Sequence, residues 1–251
     1  MGSLTVGTSF AKALALALKI PLVGVHHMKA HILAHLIDDA SDNKPSFPFL
    51  CLTVSGGHTQ IVRVNAPLDM QVLGSTIDDA AGEAFDKGAK LLGLPYPGGA
   101  LIERHAAQGD VAKFVFPRGI PEKADLRLSF SGLKTALRYQ LEKMDDAQVR
   151  AALPDLCAGY QHAIIAQLVA KTGAALDRGT YRSVGLSGGV ANNRTLRTRL
   201  ANAATQRGLP MFLAEPKHCG DNAAMIAFAA WSEPDRPADV APAPSLTVDQ
   251  A

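Results

Sequence analysis

His27 and His31 stand four residues apart, the spacing at which a helix brings two imidazoles to one metal ion. His35 continues the row and His26 precedes it. The same row also suits a set of solvated or core-satisfied histidines. Met28 follows His27, so the glutamate base of an H-E-x-x-H protease is missing. A carboxylate from elsewhere in the chain would complete a two-His-one-carboxylate set, open to Fe(II) or Zn²⁺. The candidate is Asp221, in His218-Cys219-Gly220-Asp221-Asn222. It follows a glycine at an expected helix start, where its side chain either enters a cleft or caps the helix.

A second group of residues suits anions and nucleosides. In Thr53-Val54-Ser55-Gly56-Gly57-His58-Thr59, two glycines interrupt an apolar strand and an alternating one. That pattern makes either a plain hairpin or a nest of bared N–H groups. Ser55 lacks a G-x-S-x-G context and is not read as a nucleophile. Asp86 has the chemistry to accept hydrogen bonds from ribose hydroxyls, although the neighbouring Glu83 and Lys87 are spaced as a simple surface pair. Asn193 offers both donor and acceptor, as an adenine edge requires. Val54-Ser55-Gly56-Gly57 recurs as Leu186-Ser187-Gly188-Gly189, and the second copy runs into a helix, where anions are favoured.

The elements that must position these groups alternate between helices and strands. Helices are expected over residues 4–19, 26–38, 77–92, 100–107, 130–144, 148–178, 194–207 and 222–231. Strands are expected at 21–25, 49–52, 60–64, 71–75, 183–186 and 211–213. Asp78 or Asp79 is the expected N-cap of the 77–92 helix, and the first helix is expected to pack in a core. Composition bounds the rest: 251 residues, 47% hydrophobic and 19% charged, with a net charge of +2, fit a globular protein and exclude a polybasic one. Cys51, Cys157 and Cys219 are far apart, so neither a disulfide framework nor a zinc ribbon is indicated. Reducing cytosol and no membrane span are expected. Lys134, Arg138, Arg194, Arg197 and Arg199 are candidates for an RNA-facing patch or for solvated helix faces.

Together these motifs resemble the TsaD family of tRNA N6-adenosine threonylcarbamoyltransferases, once called O-sialoglycoprotein endopeptidases. The resemblance runs through Val25-His26-His27-Met28-Lys29-Ala30-His31, the Ser55-Gly56-Gly57 turn, Asp78-Asp79-Ala80-Ala81-Gly82-Glu83-Ala84-Phe85-Asp86-Lys87, Tyr96-Pro97-Gly98-Gly99, Phe130-Ser131-Gly132-Leu133-Lys134-Thr135, Gly188-Gly189-Val190 with Asn193-Arg194, and Asp221-Asn222. It implies an α/β, two-lobed fold of the actin, sugar-kinase and heat-shock ATPase type. It also implies transfer of a threonylcarbamoyl group from threonylcarbamoyl-AMP to N6 of adenosine 37 in tRNAs reading codons that start with A.

By motif position, the resemblance implies His27, His31 and Asp221 as ligands of one iron or zinc ion. Thr53, Val54, Ser55, Gly56 and Gly57 would hold the phosphate and acyl end, and Asp86, Gly99 and Asn193 the nucleoside. Implied partners are tRNA, a TsaB-like paralogous subunit and a TsaE-like ATPase. Residues 1–7 match an internal helix start of the family, so the first lobe is expected to lack its opening strands and first phosphate loop. The expected division is 1–95 for the remainder of the first lobe, 96–231 for the second lobe and 232–251 for a disordered tail. An inactive nucleotide-binding or scaffold fragment is the alternative reading, and a metalloprotease a remote one.

Overall fold

Every residue of Phe49–Val54 (β1) is buried, and a strand hidden on both faces must find backbone partners on both edges. In the computed structural model, which describes residues 2–37, 44–233, 240–243 and 246–250, β1 meets this demand in two ways. It pairs antiparallel with Thr59–Ala66 (β2), which continues antiparallel into Asp69–Ser75 (β3). On its other edge it pairs parallel with Ser183–Ser187 (β4), itself wholly buried, which pairs parallel with Met211–Leu213 (β5). The order is β3-β2-β1-β4-β5.

The expected boundary between residues 95 and 96 therefore does not separate two sheets. Strands from both sides of it share one sheet, with Thr53 opposite Ser187. The two Ser-Gly-Gly loops are not one per lobe: they leave the same end of adjacent parallel strands. The expected strand at 21–25 does not form. Those residues have no ladder, and Gly24 instead lies against Val240.

The helices are Gly2–Leu18 (α1), His27–Leu33 (α2, continued by a 3-10 turn at Ala34–Leu36), Ala81–Leu91 (α3), Gly98–Ala106 (α4), Ser131–Leu141 (α5), Asp146–Leu176 (α6), Arg194–Thr205 (α7), Pro216–Cys219 (α8) and Ala223–Ser232 (α9). The start of α6 carries a capping box between Asp145 and Gln148. Contrary to expectation, α1 buries no residue. Leu4, Val6, Phe10, Leu14, Leu16 and Leu18 remain exposed.

Gly88 on α3 fits against Tyr160 on α6, where an added Cβ would lie 2.3 Å from the ring. The Tyr160 hydroxyl donates to the Ala84 carbonyl at 2.9 Å. Lys171 on α6 is nearly buried and donates to the carbonyls of Glu122 and Asp125, fastening the irregular stretch between α4 and α5. The tail, expected to be disordered, returns to the protein where it is described. Val248 is buried, and the Leu246 carbonyl lies 2.8 Å from His26 Nε2. Residues 38–43, 234–239 and 244–245 lie outside the described residues.

Gly88→Ala is expected to lower stability by about 1–3 kcal/mol through overpacking against Tyr160, read as a lower urea midpoint. A second outcome concerns pH. His35 is wholly buried, its Nδ1 is 3.0 Å from the Ile32 carbonyl, and burial holds its pKa below the ordinary 6.5. The unfolded chain therefore binds the extra proton as pH falls below that value, so stability is complete above it and declines on acidification. One such group contributes a slope of up to about 1.4 kcal/mol per pH unit. Burial shifts His31, His58 and His162 in the same direction. His35→Leu should thus flatten, without abolishing, the fall in urea midpoint between pH 7 and pH 5.

Candidate active site

The start of α9 settles which residue caps that helix. Asn222 Oδ1 accepts from the Met225 N–H at 2.9 Å, and Asn222 Nδ2 donates to the Gly220 carbonyl at 2.9 Å. Asp221 is therefore not the cap, and its carboxylate turns towards α2. There His26 is the N-cap, its Nδ1 accepting from the Lys29 N–H at 3.4 Å. His27 opens the helix and His31 lies one turn later, their rings edge to face with centroids 4.7 Å apart. Both Nε2 atoms meet the same Asp221 oxygen, at 3.3 Å from His27 and 3.1 Å from His31. The potential ligand atoms of the three residues all lie within 4.8 Å of one another.

This set suits a divalent cation of the iron or zinc class. Two imidazole nitrogens and one carboxylate oxygen converge on one point, and His31 is completely buried. Burial, and then the charge of His27, hold the His31 pKa below its ordinary value against the opposing pull of Asp221. The neutral imidazole that ligation requires is thus the favoured form. His31 Nδ1 is buried with no hydrogen-bond partner among the described residues, so this ring is positioned by packing and by its Nε2 contact with Asp221.

The glycine turn closes beside this cluster. The Ser55 N–H donates to the His58 carbonyl at 2.8 Å, and the His58 N–H donates to Ser55 Oγ at 3.1 Å. Burial, followed by the fields of His27 and His26, lowers the pKa of His58, which places the turn next to the histidine helix. Gly56 and Gly57 are exposed, with open space where a Cβ would stand and no partner for their N–H groups among the described residues. Neither has a positive φ. That conformation belongs to Gly188 in the second loop, at φ +89°, where a Cβ would fall 2.3 Å from the Val54 carbonyl oxygen.

Thr53 and Val54 do not face the turn's open side. They are buried in β1, and Thr53 Oγ1 accepts from Ser187 Oγ at 3.2 Å, tying β1 to β4. Nor do Asp78 and Asp79 cap α3. Asp78 instead accepts from the backbone and side chains of Ser129, Phe130 and Ser131 at the start of α5, and Asp79 pairs with Lys87 at 2.7 Å. The first N–H groups of α3 go to the glycine turn: Ala81 donates to Thr59 Oγ1 at 2.9 Å and Gly82 to the Ser55 carbonyl at 3.3 Å. A Cβ at Gly82 would sit 2.5 Å from that carbonyl oxygen.

A cleft of ≈ 550 Å³ opens where the turn meets α3, lined by Gly56, Asp86, Lys87, Tyr96 and Gly98 among others. Asp86 Oδ1 accepts from the Gly98 N–H at 2.8 Å. Gly99 follows in the first turn of α4, where an N–H has no acceptor within its own helix. Asn193 is absent from the cleft lining. Its Oδ1 caps α7 by accepting from the Leu196 N–H at 2.9 Å, and its Nδ2 donates to Gln161 Oε1 at 2.7 Å, so the amide expected to read an adenine edge is already engaged. Two residues near the site were not singled out from sequence. His58 carried no spacing signal, and Tyr96, 84% exposed on the cleft rim, showed only as part of the Tyr-Pro-Gly-Gly motif.

A family model described as tRNA N6-adenosine threonylcarbamoyltransferase, TsaD, matches residues 1–228. Among curated proteins of that same name, the chain is 48% identical to one from Christiangramia forsetii over 234 residues, which are 92% of this chain and 68% of the relative. It is 49% identical to one from Cytophaga hutchinsonii over 237 residues, 93% of this chain and 67% of the relative. A protein from an Anaeromyxobacter species is 50% identical over 230 residues, 91% of this chain and 68% of the relative. Among solved structures, HypF from T. kodakarensis superposes with a TM-score of 0.65 at 16% identity, covering 90% of this chain and 39% of that one. A full-length HypF gives 0.62 at 13% identity, covering 86% and 43%. These likenesses concern the fold, and with the mixed sheet they bear out the expected α/β class of the actin and ATPase type. Among the described residues, no helix is long and apolar enough to cross a membrane.

The site yields two checks. Chain loaded with Zn²⁺ or Fe²⁺ and dialysed is expected to retain an equimolar ion by elemental analysis, and His27→Ala/His31→Ala to retain almost none. The three cysteines are buried, and burial pushes the thiol of Cys51 up to about 11 and that of Cys157 up to about 12. Iodoacetamide at pH 8 should therefore label none of them in the native protein and all three after denaturation, counted by intact mass.

Proposed function

Because the chain belongs to the TsaD family of tRNA N6-adenosine threonylcarbamoyltransferases, we propose that it transfers the threonylcarbamoyl group of threonylcarbamoyl-AMP to N6 of adenosine 37 in tRNAs reading codons that start with A. The N6 amine attacks the carbamoyl carbon. The bond from that carbon to the phosphate oxygen breaks, AMP leaves with the electron pair, and N6 gives up a proton. No protein nucleophile is required, which agrees with three buried cysteines and a Ser55 hydroxyl engaged with the backbone of its own turn.

The observation that carries this reading is the convergence of His31 and Asp221, 190 residues apart in sequence, beside the glycine turn. His27, His31 and Asp221 would hold the metal ion, which when bound supplies Lewis acidity at an acyl or phosphoryl oxygen. The N–H groups of Gly56 and Gly57, unpartnered among the described residues, suit the negative charge of the phosphate and of the acyl oxygen. Across the cleft, Asp86 and the first turn of α4 at Gly99 suit the hydroxyls of the nucleoside. Thr53 and Val54 act as the framework that sets the turn, and Asn193 as the cap that sets α7. A TsaB-like subunit and a TsaE-like ATPase are the partners, and the cytosol is the compartment.

The test combines the chain with those partners, threonylcarbamoyl-AMP and an unmodified tRNA, and follows AMP release together with the modified nucleoside by mass spectrometry. Product is expected from the wild-type chain. His27→Ala/His31→Ala should reduce the rate by about 10² or more, the scale of losing a Lewis acid. Full activity in that double variant would remove the metal centre from the reaction. Asp86→Asn should raise KM for the adenylate more than it lowers kcat.

A further inference from the structure

The stretch between α4 and α5 has no regular structure, yet it is pinned along α6 on both sides of Arg118. The ring of Phe116 meets that of Tyr160 edge to face at 5.7 Å. Gly119 fits where a Cβ would come within 2.2 Å of the Ser129 carbonyl oxygen and 3.0 Å of Gln167 Nε2. Between these anchors the exposed Arg118 acts on His162, in the middle of α6. Arg199 reaches the same point from α7, with one guanidinium nitrogen 3.4 Å from His162 Nδ1. Burial, and then the charge of Arg118, lower the pKa of Arg199. Burial and both arginines do the same to His162, and no carboxylate offsets either shift.

Arg199 and His162 thus meet at 3.4 Å, Arg118 stands near enough on a third element for its charge to act on both, and among the described residues no ion pair neutralises either arginine. Two further arginines, on α5 and α7, are already engaged. Arg138 pairs with Glu142 at 3.3 Å, and Arg197 donates to the Ala191 carbonyl and to Asn192. The cluster stands apart from the cleft lining, but the α6–α7 seam that carries it is tied to the site. Gln161, next to His162, accepts from Asn193, and the Arg194 N–H donates to Glu103 of α4. A small nucleotide held in a cleft of ≈ 550 Å³ has no use for a second cationic point outside it, whereas a polymer reaching into that cleft has.

We propose that Arg118, His162 and Arg199 form a phosphate-binding point for the backbone of the RNA substrate, outside the cleft where its base reacts. This rests on the proposed transfer to tRNA. A guanidinium fork suits bidentate contact with a phosphodiester, and a second cation beside it adds to the attraction; the contact positions the RNA without reading its sequence. The test uses the full metal-loaded chain and an unmodified tRNA transcript, with binding read by fluorescence anisotropy across about 50 to 200 mM KCl. Arg118→Gln/Arg199→Gln should weaken binding by roughly tenfold or more and reduce the slope of log K against log salt by about 1, for the one phosphate that no longer meets a guanidinium.

Arg118→Lys/Arg199→Lys should keep the slope, which separates charge from packing, and unchanged thermal midpoints verify the fold of both variants. AMP affinity should be the same in wild type and variants. Unchanged tRNA binding and slope in the glutamine pair overturn the inference, and so does an equal loss of AMP affinity, which would assign the cluster to the small nucleotide. Failure of the wild-type chain to modify the tRNA it binds would instead count against the transfer reaction, while the salt slopes still judge the cluster.

Discussion

The N-terminus of α3 has no cap of its own, and the site depends on how that lack is resolved. The preceding Ala80 makes no side-chain cap, so the first N–H groups of the helix need acceptors from elsewhere. They find them on the β1–β2 turn, at the Ser55 carbonyl and the Thr59 hydroxyl. The approach is close enough that only a residue without a Cβ fits at Gly82. One contact thereby fixes two things: the turn cannot move away from α3, and α3 carries Asp86 to the opposite wall of the cleft. The aspartates of the Asp78-Asp79 pair, released from capping, tie α3 to α5 and to Lys87.

The sheet supplies the remaining constraint. Because β1 is buried throughout and bonded on both edges, the loops that leave β1 and β4 emerge side by side. Open α/β sheets bind ligands at this carboxyl edge of parallel strands. The two loops divide the work. The first leaves its glycines exposed, with N–H groups unpartnered among the described residues. The second uses its glycine at φ +89° to lie against the Val54 backbone and so supports the first.

Much of this was legible in the residues, and the parts that were not share a cause. The His27–His31 spacing and the Gly-Asp-Asn start of α9 were enough to nominate a metal set, because helix periodicity and capping chemistry are local. Whether Asp221 caps α9 or is left to face α2 was not local. It turned on Asn222 taking the cap. Likewise, Asp78, Thr53 and Asn193 read as a cap, a loop residue and a base reader, but each is engaged by a residue far away in the chain. The repeated Ser-Gly-Gly suggested two lobes, since a repeat reveals similar local structure and not which strands become neighbours. Residues 21–25 have a strand's composition without a strand's partner, and the buried His35 and Lys171 carry no sequence signal that sets them apart from surface residues.

The return of the tail to α2 bears on how this protein is handled and redesigned. His26 receives the Lys29 N–H on Nδ1, so the nitrogen facing the Leu246 carbonyl is the one that carries hydrogen. The Leu246 carbonyl thus accepts from the tautomer that the Lys29 N–H selects in the side chain that begins the histidine helix. An affinity handle joined behind Leu246 and Val248, or a trimmed gene that omits them, would act both on the start of the histidine helix and on β3, against which Val248–Gln250 lies. Placement of purification tags is therefore a choice about the histidine helix as well as the sheet.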